Sequence, residues 1–449
     1  MEAGINIHGG RCLSILALAD KSWHGTKSSG TTETATHDLV FVVNSANPEV
    51  DRLAGELSQR GRLCSFVRRY ANKGRPWERL LARLPVVNHR YLGTMGRRTL
   101  LPSLEASKVV DAGVPYDFLA AAALRSGLGK VGLEANRKFL RSRSRSIARK
   151  ASSLVGDAKI IVGNYGVSLT AFQRVKSAGG RVILNYPNVH HRFQHRLLAE
   201  EAEREPHFAS TITREITEMA SIFDQECSLA DTILVGSSFV RSSFEAEGFS
   251  GSNIAVIPYG CDTSMFSPGE PRTSADSFRA LFVGQLTQRK GLSYLLRAYQ
   301  AVQGAGTELL LAGRSVGNPE VLKDYRHLFT YLGNLPHRKL ADLYRQVDVF
   351  VFPTLLEGMP LVLLEAMASG LPVITTSHGS GDIVRDGLDG FVVPIRDAGA
   401  VAEQLEVLRA NPQMRVYMGR AARSRALEFT WQRYCERAAD VVLGVQPTL

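Results

Sequence analysis

From residue 39 onward, short and nearly continuous apolar runs alternate with longer amphipathic stretches, and no other feature restricts the fold of this chain as much. The first such runs are "LVFVVNSA" (39–46), "KIIVGN" (159–164), "RVILNY" (181–186), "DTILVG" (231–236) and "IAVIPYG" (254–260). A strand with no polar alternation has no solvated face, so it belongs in a parallel sheet covered by helices on both sides. The helical partner is legible in the first unit. Asn47 stands as N-cap, Pro48 at the first helical position, and Gly61 past the helix end.

The segment "CDTSMFSPGEPRTSADS" (261–277) breaks this periodicity with Pro, Gly and Ser, as a linker does. The alternation then resumes with "RALFVG" (279–284), "TELLLAG" (307–313), "FTYLGN" (329–334), "DVFVFPT" (348–354), "LPVITT" (371–376) and "GFVVPI" (390–395). At 449 residues the chain also exceeds the roughly 250 to 300 that one core accommodates. The pattern predicts an α/β protein of two doubly wound, Rossmann-like domains facing each other across a cleft, over 38–262 and 263–430. A helix at 431–449 follows, free to pack back on either domain. Residues 1–37 are rich in Ser, Thr, Gly and His without periodicity and are expected to form a disordered leader.

Composition removes several classes. With 44% hydrophobic and 22% charged residues, global disorder is excluded. Cys12, Cys64, Cys227, Cys261 and Cys435 are odd in number, scattered and without a C-x-x-C, which argues for a reducing compartment and against a zinc site. No apolar run approaches the roughly 20 residues of a membrane span, so a cytoplasmic protein is expected. The formal charge of +11 is concentrated in the first third. Lys73, Arg75, Arg79, Arg83, Arg90, Arg97 and Arg98 form one cluster, and Arg125 to Lys150 hold another. Within "LEANRKFLRSRSRSIARKASSLV" (133–155), Leu133, Leu140, Ile147 and Leu154 give a helix one apolar seam flanked by Arg137, Lys138, Arg141, Arg143, Arg145, Arg149 and Lys150. Two readings stand. The helix docks its seam on the first domain, or it lies on an anionic bilayer.

The chemistry points to the second domain. "DVFVFPT" reads as a strand buried on both faces, so the loop after it opens at the carboxyl edge of a sheet, where open α/β folds bind ligands. Glu357 sits in that loop. Pro360 suits the first turn of the next helix, which Gly370 and Pro372 end, leaving the N–H groups of Met359 to Leu363 to bind an anion such as a diphosphate. Inside that helix only Glu365 and Ser369 are polar. A buried carboxylate needs donors, which ribose hydroxyls would supply, and the competing reading is a narrow solvated face. In "FVGQLTQRKGLSYLLRAY" (282–299) Lys290 is likewise held at the carboxyl edge of the same sheet, where it meets phosphate oxygens or is a solvated loop charge.

Taken together, Glu357 and Glu365 in "EGMPLVLLEAMASGLPV", the "VGQLTQRKG" loop, "IPYGCDTSMFSP" and "HGSGDIVRDGLDGFVVP" (378–394) resemble the retaining, GT-B-fold glycosyltransferases of family 4, the group 1 glycosyl transferases. The resemblance is strong from about 226 to 430 and weak before it. It implies that Glu365 holds the nucleotide ribose and that Glu357 faces the donor sugar. Gly358, Met359, Pro360, Leu361 and Val362 would line sugar and phosphates, and Lys290 would be the cation on the diphosphate. Gln285 departs from the arginine common at its position, so part of the positive charge on the diphosphate is either missing or supplied by Arg289, and "NSANPEV" (44–50) lacks the family's glycine-rich loop. In "ILNYPNVHHR" (183–192), His190 or His191 corresponds to a family histidine near the transferred sugar, the other reading being an exposed loop pair. Glu226 and Asp231, in "QECSLADTILVGSSFV", resemble a structural segment.

The resemblance further implies front-face transfer with retention, from a nucleotide-diphosphate sugar to a glycan or lipid-linked acceptor in cell-surface polysaccharide assembly. Lys290, Glu357, His190 and His191 are the catalytic candidates, with no cofactor and no metal. A hydrolase would need its carboxylates on either side of a glycosidic bond, about 5 to 9.5 Å apart, which one shared loop and helix start disfavours. A catalytically inactive sugar-nucleotide binder, or a basic protein of the membrane surface, is the competing class. Nucleic acid is an unlikely partner on this pattern, because no aromatic-interleaved motif accompanies the arginines.

Overall fold

The computed structural model describes residues 39–45, 47–73, 75, 78, 100–125, 129–212, 219–270, 277–380 and 382–445. The leader at 1–37 and Arg79, Arg83, Arg90, Arg97 and Arg98 of the first basic cluster lie outside the described residues. The strands fall into two sheets. By contacts the described chain divides into two units, one holding the residues up to Asn185 with Ile222–Thr232, the other holding Tyr186–Ser221 and everything from Ile233 onward.

The first sheet comprises β1 (Val40–Asn44), β2 (Leu63–Arg68), β3 (Val109–Asp111), β4 (Ile160–Asn164), β5 (Arg181–Asn185), β6 (Thr232–Val235) and β7 (Ile254–Val256), in the order β3-β2-β1-β4-β5-β6-β7. Its helices are α1 (Pro48–Gln59), α2 (Val114–Arg125), α3 (Gly129–Leu154), α4 (Leu169–Ser177), α5 (His191–Arg204), α6 (Ala220–Leu229) and α7 (Ser238–Glu245). The order runs outward in both directions from β1 and β4, which pair in parallel with Val40 opposite Ile160. Both are buried along their whole length, as continuous apolar runs require. Asn47, Pro48 and Gly61 take their expected places at the ends of α1, with Gly61 at φ 67°. Glu226 is structural: its carboxylate accepts from the N–H of Ser168 at 2.7 Å and of Leu169 at 2.9 Å and so closes the start of α4.

The basic helix α3 docks. Ile147 and Ala151 are fully buried, Arg143 pairs with the buried Asp117 of α2 at 3.2 Å, and Asn136 donates to the Ala120 carbonyl at 2.7 Å. Its seam is thereby used within the fold, while Arg137, Lys138, Arg141, Arg145, Arg149 and Lys150 remain exposed. Of the earlier cluster, Arg75 is paired with Asp111 and Glu78. Among the described residues no helix is long and apolar enough to cross a membrane.

The second sheet comprises β8 (Phe278–Val283), β9 (Thr307–Ala312), β10 (Thr330–Gly333), β11 (Val349–Phe352), β12 (Val373–Thr376) and β13 (Gly390–Val393), ordered β10-β9-β8-β11-β12-β13. Around it lie α8 (Leu292–Val302), α9 (His337–Tyr344), α10 (Leu361–Ala368), α11 (Ala398–Ala410) and α12 (Pro412–Ala426). The winding reverses between β8 and β11, which are hydrogen-bonded neighbours with Val349 opposite Ala280. That adjacency sets the loop after β8 beside the loop after β11 at one sheet edge, although 67 residues separate Lys290 from Glu357. The last helix, α13 (Trp431–Leu443), packs on the segment after β7. The Cys261 N–H donates to the Phe429 carbonyl at 3.0 Å, and the Tyr259 and Trp431 rings stack at 6.4 Å.

Candidate functional site

The loop after β8 closes as a single 3-10 turn, Gln288–Lys290, and Gly291 follows in the left-handed region at φ 74°. Only glycine fits there, since a Cβ would lie 1.8 Å from the Pro353 carbonyl oxygen. The two loops are laced together by that approach and by the Leu355 N–H, which donates to the Arg289 carbonyl at 2.9 Å. Lys290 and Arg289 consequently reach the same carboxylate.

Glu357 is 9% exposed, and all its carboxylate bonds fall on Oε1. Arg289 Nη1 donates at 2.9 Å, Thr354 Oγ1 at 3.3 Å, and Lys290 Nζ completes the set. Burial pushes the Glu357 carboxyl up, but Arg289 and Lys290 outweigh it and hold the group below the usual carboxylate range. Burial pushes the Lys290 ammonium down to about 8 against the pull of Glu357. At neutral pH both are therefore charged. The ammonium also sits 5.0 Å from the Phe352 ring centroid, a cation–π contact on the floor of the site.

Glu365 differs. It is 7% exposed and Ser369 is 3% exposed, so the solvated-face reading of that pair is replaced by burial in the helix core. The Tyr344 hydroxyl lies 3.5 Å from Glu365 Oε2 and 3.2 Å from the Val362 carbonyl oxygen, and burial raises the Glu365 carboxyl to about 7. A buried carboxylate held this loosely is suited to accept hydroxyl donors.

Between the two acids the helix start differs by one residue from the expectation. Pro360 is the N-cap of α10 rather than its first helical residue, because its backbone is extended. The preceding loop is fixed from three strand ends. The Gly358 carbonyl accepts from Ser237 Oγ at 2.6 Å, and a Cβ on Gly358 would lie 1.7 Å from the Pro187 carbonyl oxygen. Met359 Sδ accepts from the Tyr259 N–H at 2.8 Å. Leu361 and Val362 open the helix itself.

The structure thus brings Lys290, Arg289 and Glu357 together and seats Gly358 against Pro187. Gln285 lies exposed. His190 is fully buried as the N-cap of α5, its Nδ1 accepting from the Arg192 N–H at 3.4 Å and its own N–H donating to Ser243 Oγ at 3.0 Å. Its ring packs edge-on to Phe244 at 4.8 Å and against Phe249 at 5.4 Å. His191 is 7% exposed, and its backbone N–H donates to the Tyr186 hydroxyl oxygen at 3.2 Å. Neither is an exposed loop residue. Cys227, Cys261 and Cys435 are buried and form no disulfide.

Several groups at the site have no role that the sequence assigns them. His378 accepts the Glu357 N–H on its carbonyl at 3.1 Å and stacks on Phe239 at 4.3 Å. Ser238 is bonded through both its N–H and its hydroxyl to Asp382, which anchors the 378–394 segment. Glu201, in an acidic helical stretch, is fully buried, as is Gln288.

Residues 277–411 match the family model described as glycosyl transferases group 1. Among curated proteins the chain is 31% identical over 213 residues to a D-inositol 3-phosphate glycosyltransferase of Corynebacterium diphtheriae, covering 42% of this chain and 50% of that protein. It is 33% identical over 202 residues to the protein of the same name from Arthrobacter sp. (strain FB24), covering 40% and 48%. The chain thus spans about half the length of the curated relatives it matches. Among solved structures, Anabaena HepE in complex with UDP and glucose superposes with a TM-score of 0.59 at 15% identity, over 91% of this chain and 100% of that one. Sucrose-phosphate synthase from Thermosynechococcus elongatus gives 0.55 at 19%, over 90% and 98%. These likenesses show the fold, which is GT-B.

Proposed function

We propose, from the premise that residues 277–411 form a group 1 glycosyl transferase domain on a GT-B fold, that this chain transfers a sugar from a nucleotide-diphosphate sugar to a glycan or lipid-linked acceptor with retention of configuration. One observation carries the reading: a Lys290–Arg289–Glu357 cluster, gathered on the buried Glu357 carboxylate, stands beside the start of the helix that buries Glu365. Glu365 receives the ribose hydroxyls, Lys290 meets the diphosphate, and Glu357 faces the sugar. Transfer builds negative charge on the departing diphosphate, and preorganised donors in a water-poor site are what stabilise it. Lys290 and Arg289 supply that charge, so the reaction needs no metal. UDP is the first nucleotide to test, because UDP occupies the HepE structure.

A glycosidase does not suit these carboxylates. Glu357 is bound by two cations, and it shares one loop and helix start with Glu365 instead of standing across a glycosidic bond from it. The cytoplasmic face of a membrane is the proposed workplace, with the exposed basic face of α3 as its contact and cell-surface polysaccharide as the product. A phosphorylated cyclitol belongs in the acceptor screen because the curated relatives carry D-inositol 3-phosphate in their name. The functional test is a thermal-shift screen of UDP, GDP and ADP with their sugars, since a ligand of the native state raises the melting temperature. A shift with one nucleotide and its sugars supports the reading, and no shift with any of them refutes it.

A further inference from the structure

We propose that Glu201 is a positioning residue for Lys290: a buried carboxylate on α5 that fixes the turn after β8 through Gln288, and with it the place of the ammonium. This rests on the assignment of Lys290 as the cation facing the donor diphosphate.

Glu201 is fully buried, and both its oxygens are occupied. Oε1 accepts from Gln288 Nε2 at 2.7 Å and from the Tyr294 hydroxyl at 2.8 Å, while Oε2 accepts from Arg396 Nε at 2.8 Å. Gln288, also fully buried, has no slack left. Its Nε2 donates in addition to Ser293 Oγ at 2.7 Å, its Oε1 accepts from the Ser293 N–H at 3.1 Å, and its backbone N–H donates to Thr211 Oγ1 at 2.9 Å. Lys290 is the last residue of the same turn. On the opposite side the Arg289 carbonyl accepts from the Leu355 N–H at 2.9 Å. The turn is therefore clamped between α5 and the Glu357 loop.

Arg396 is a second, independent sign. It is the one non-glycine among the described residues with a left-handed backbone, at φ 65°. Such a conformation persists where its surroundings over-determine it. Here the surroundings are Glu201, Glu200 and the Leu197 carbonyl, all on α5. A buried ion pair adds little net stability over apolar packing, whereas three elements converging on one carboxylate fix geometry. α5 begins at the His190 cap after β5, and the ten helical steps from His191 to Glu201 span about 15 Å of rigid helix.

The test uses the full chain and four variants: Glu201→Leu, Glu201→Gln, Gln288→Leu, and the double Glu201→Leu/Gln288→Leu. Glu201→Gln keeps an accepting oxygen for Gln288 and Tyr294 but sets an amide NH2, with neither charge nor acceptor, against Arg396. Amide hydrogen exchange of residues 287–291, melting temperature and turnover are measured. Glu201→Leu and Gln288→Leu should speed exchange in that turn by about tenfold or more with β8 and the part of α8 beyond Ser293 unchanged, and the double variant should match the worse single one. Glu201→Gln should lower the melting temperature yet leave turn exchange and kcat within about threefold of wild type, while kcat falls about tenfold or more in Gln288→Leu. Unchanged exchange in Gln288→Leu, additive effects in the double variant, or equal kcat losses in Glu201→Gln and Gln288→Leu would each overturn the proposal. If Glu201→Leu does not fold, Gln288→Leu and Glu201→Gln still decide. If wild type binds no nucleotide sugar, the assignment of the site fails, and the exchange arms judge Glu201 by themselves.

Discussion

Glu357 and Glu365 share one loop and helix start, yet they are held in different charge regimes. Glu357 accepts from Arg289 and Lys290 and sits below the usual carboxylate range, whereas burial lifts Glu365 to about 7. An acid clamped by cations through one oxygen is a rigid wall of the site. An acid that is buried and loosely held is a binding group waiting for hydroxyl donors.

Lys290→Ala should lower turnover a hundredfold or more, about 3 kcal/mol of transition-state stabilisation, while Gln285→Ala changes it little. Of these two residues only the lysine carries charge into the cluster with Glu357, and Gln285 lies exposed. Steady-state kinetics of the two variants checks this, and equal small losses would count against the assignment.

The same two groups predict a pH profile. Lys290 loses its proton as pH rises through about 8, so affinity for a nucleotide sugar should fall above that pH. Glu365 ionises as pH rises through about 7, so affinity should also fall below it. Calorimetric affinities from pH 6 to 9 should show an optimum between the two limbs, with Lys290→Arg moving the upper limb to higher pH. For stability the sign is reversed. The raised Glu365 pKa makes its charged form a cost to the folded state above about pH 7, a cost relieved as pH falls toward the unfolded value. Glu365→Gln should therefore stabilise the protein at pH 8, on the order of 2 kcal/mol, and far less at pH 5. Melting curves at the two pH values measure it.

The proposed charge stabilisation comes from protein groups, so activity should survive chelation by EDTA. Complete loss that only a divalent cation restores would contradict it.

Much of this architecture was legible in the sequence because continuous apolar runs leave a strand one option, burial in a parallel sheet. Glu365 was conspicuous for the same reason, as a carboxylate in a helix otherwise made of Leu, Val, Ala and Met. The bond between Lys290 and Glu357 was not, since no local pattern says that β8 and β11 are neighbours. Glu201 was hidden more deeply. Its stretch, "LAEEAER" (198–204), has the composition of a solvated helix face, and only the packing of α5 against Gln288, Tyr294 and Arg396 makes it internal. The basic helix shows how one pattern serves two readings. Its seam docks through Ile147, and its charged face remains open.

That open face gives a membrane prediction of an electrostatic kind. Sedimentation with vesicles should rise with anionic lipid content, fall with salt, and drop sharply when Arg137, Arg145 and Arg149 become glutamate, at about 1 kcal/mol per charge. Arg143 is unsuitable for this test because its pairing with Asp117 holds α3 to α2. Indifference to lipid charge and salt would leave a soluble acceptor.

The central claim is the division of labour between the two glutamates, and calorimetric titration tests it most directly. Free nucleoside diphosphate and the corresponding nucleotide sugar are titrated into wild type, Glu365→Gln and Glu357→Gln at pH 7.5. Glu365→Gln should weaken both ligands, because ribose is common to both, and Glu357→Gln should weaken mainly the nucleotide sugar. Wild-type affinity of both variants for both ligands would contradict the account.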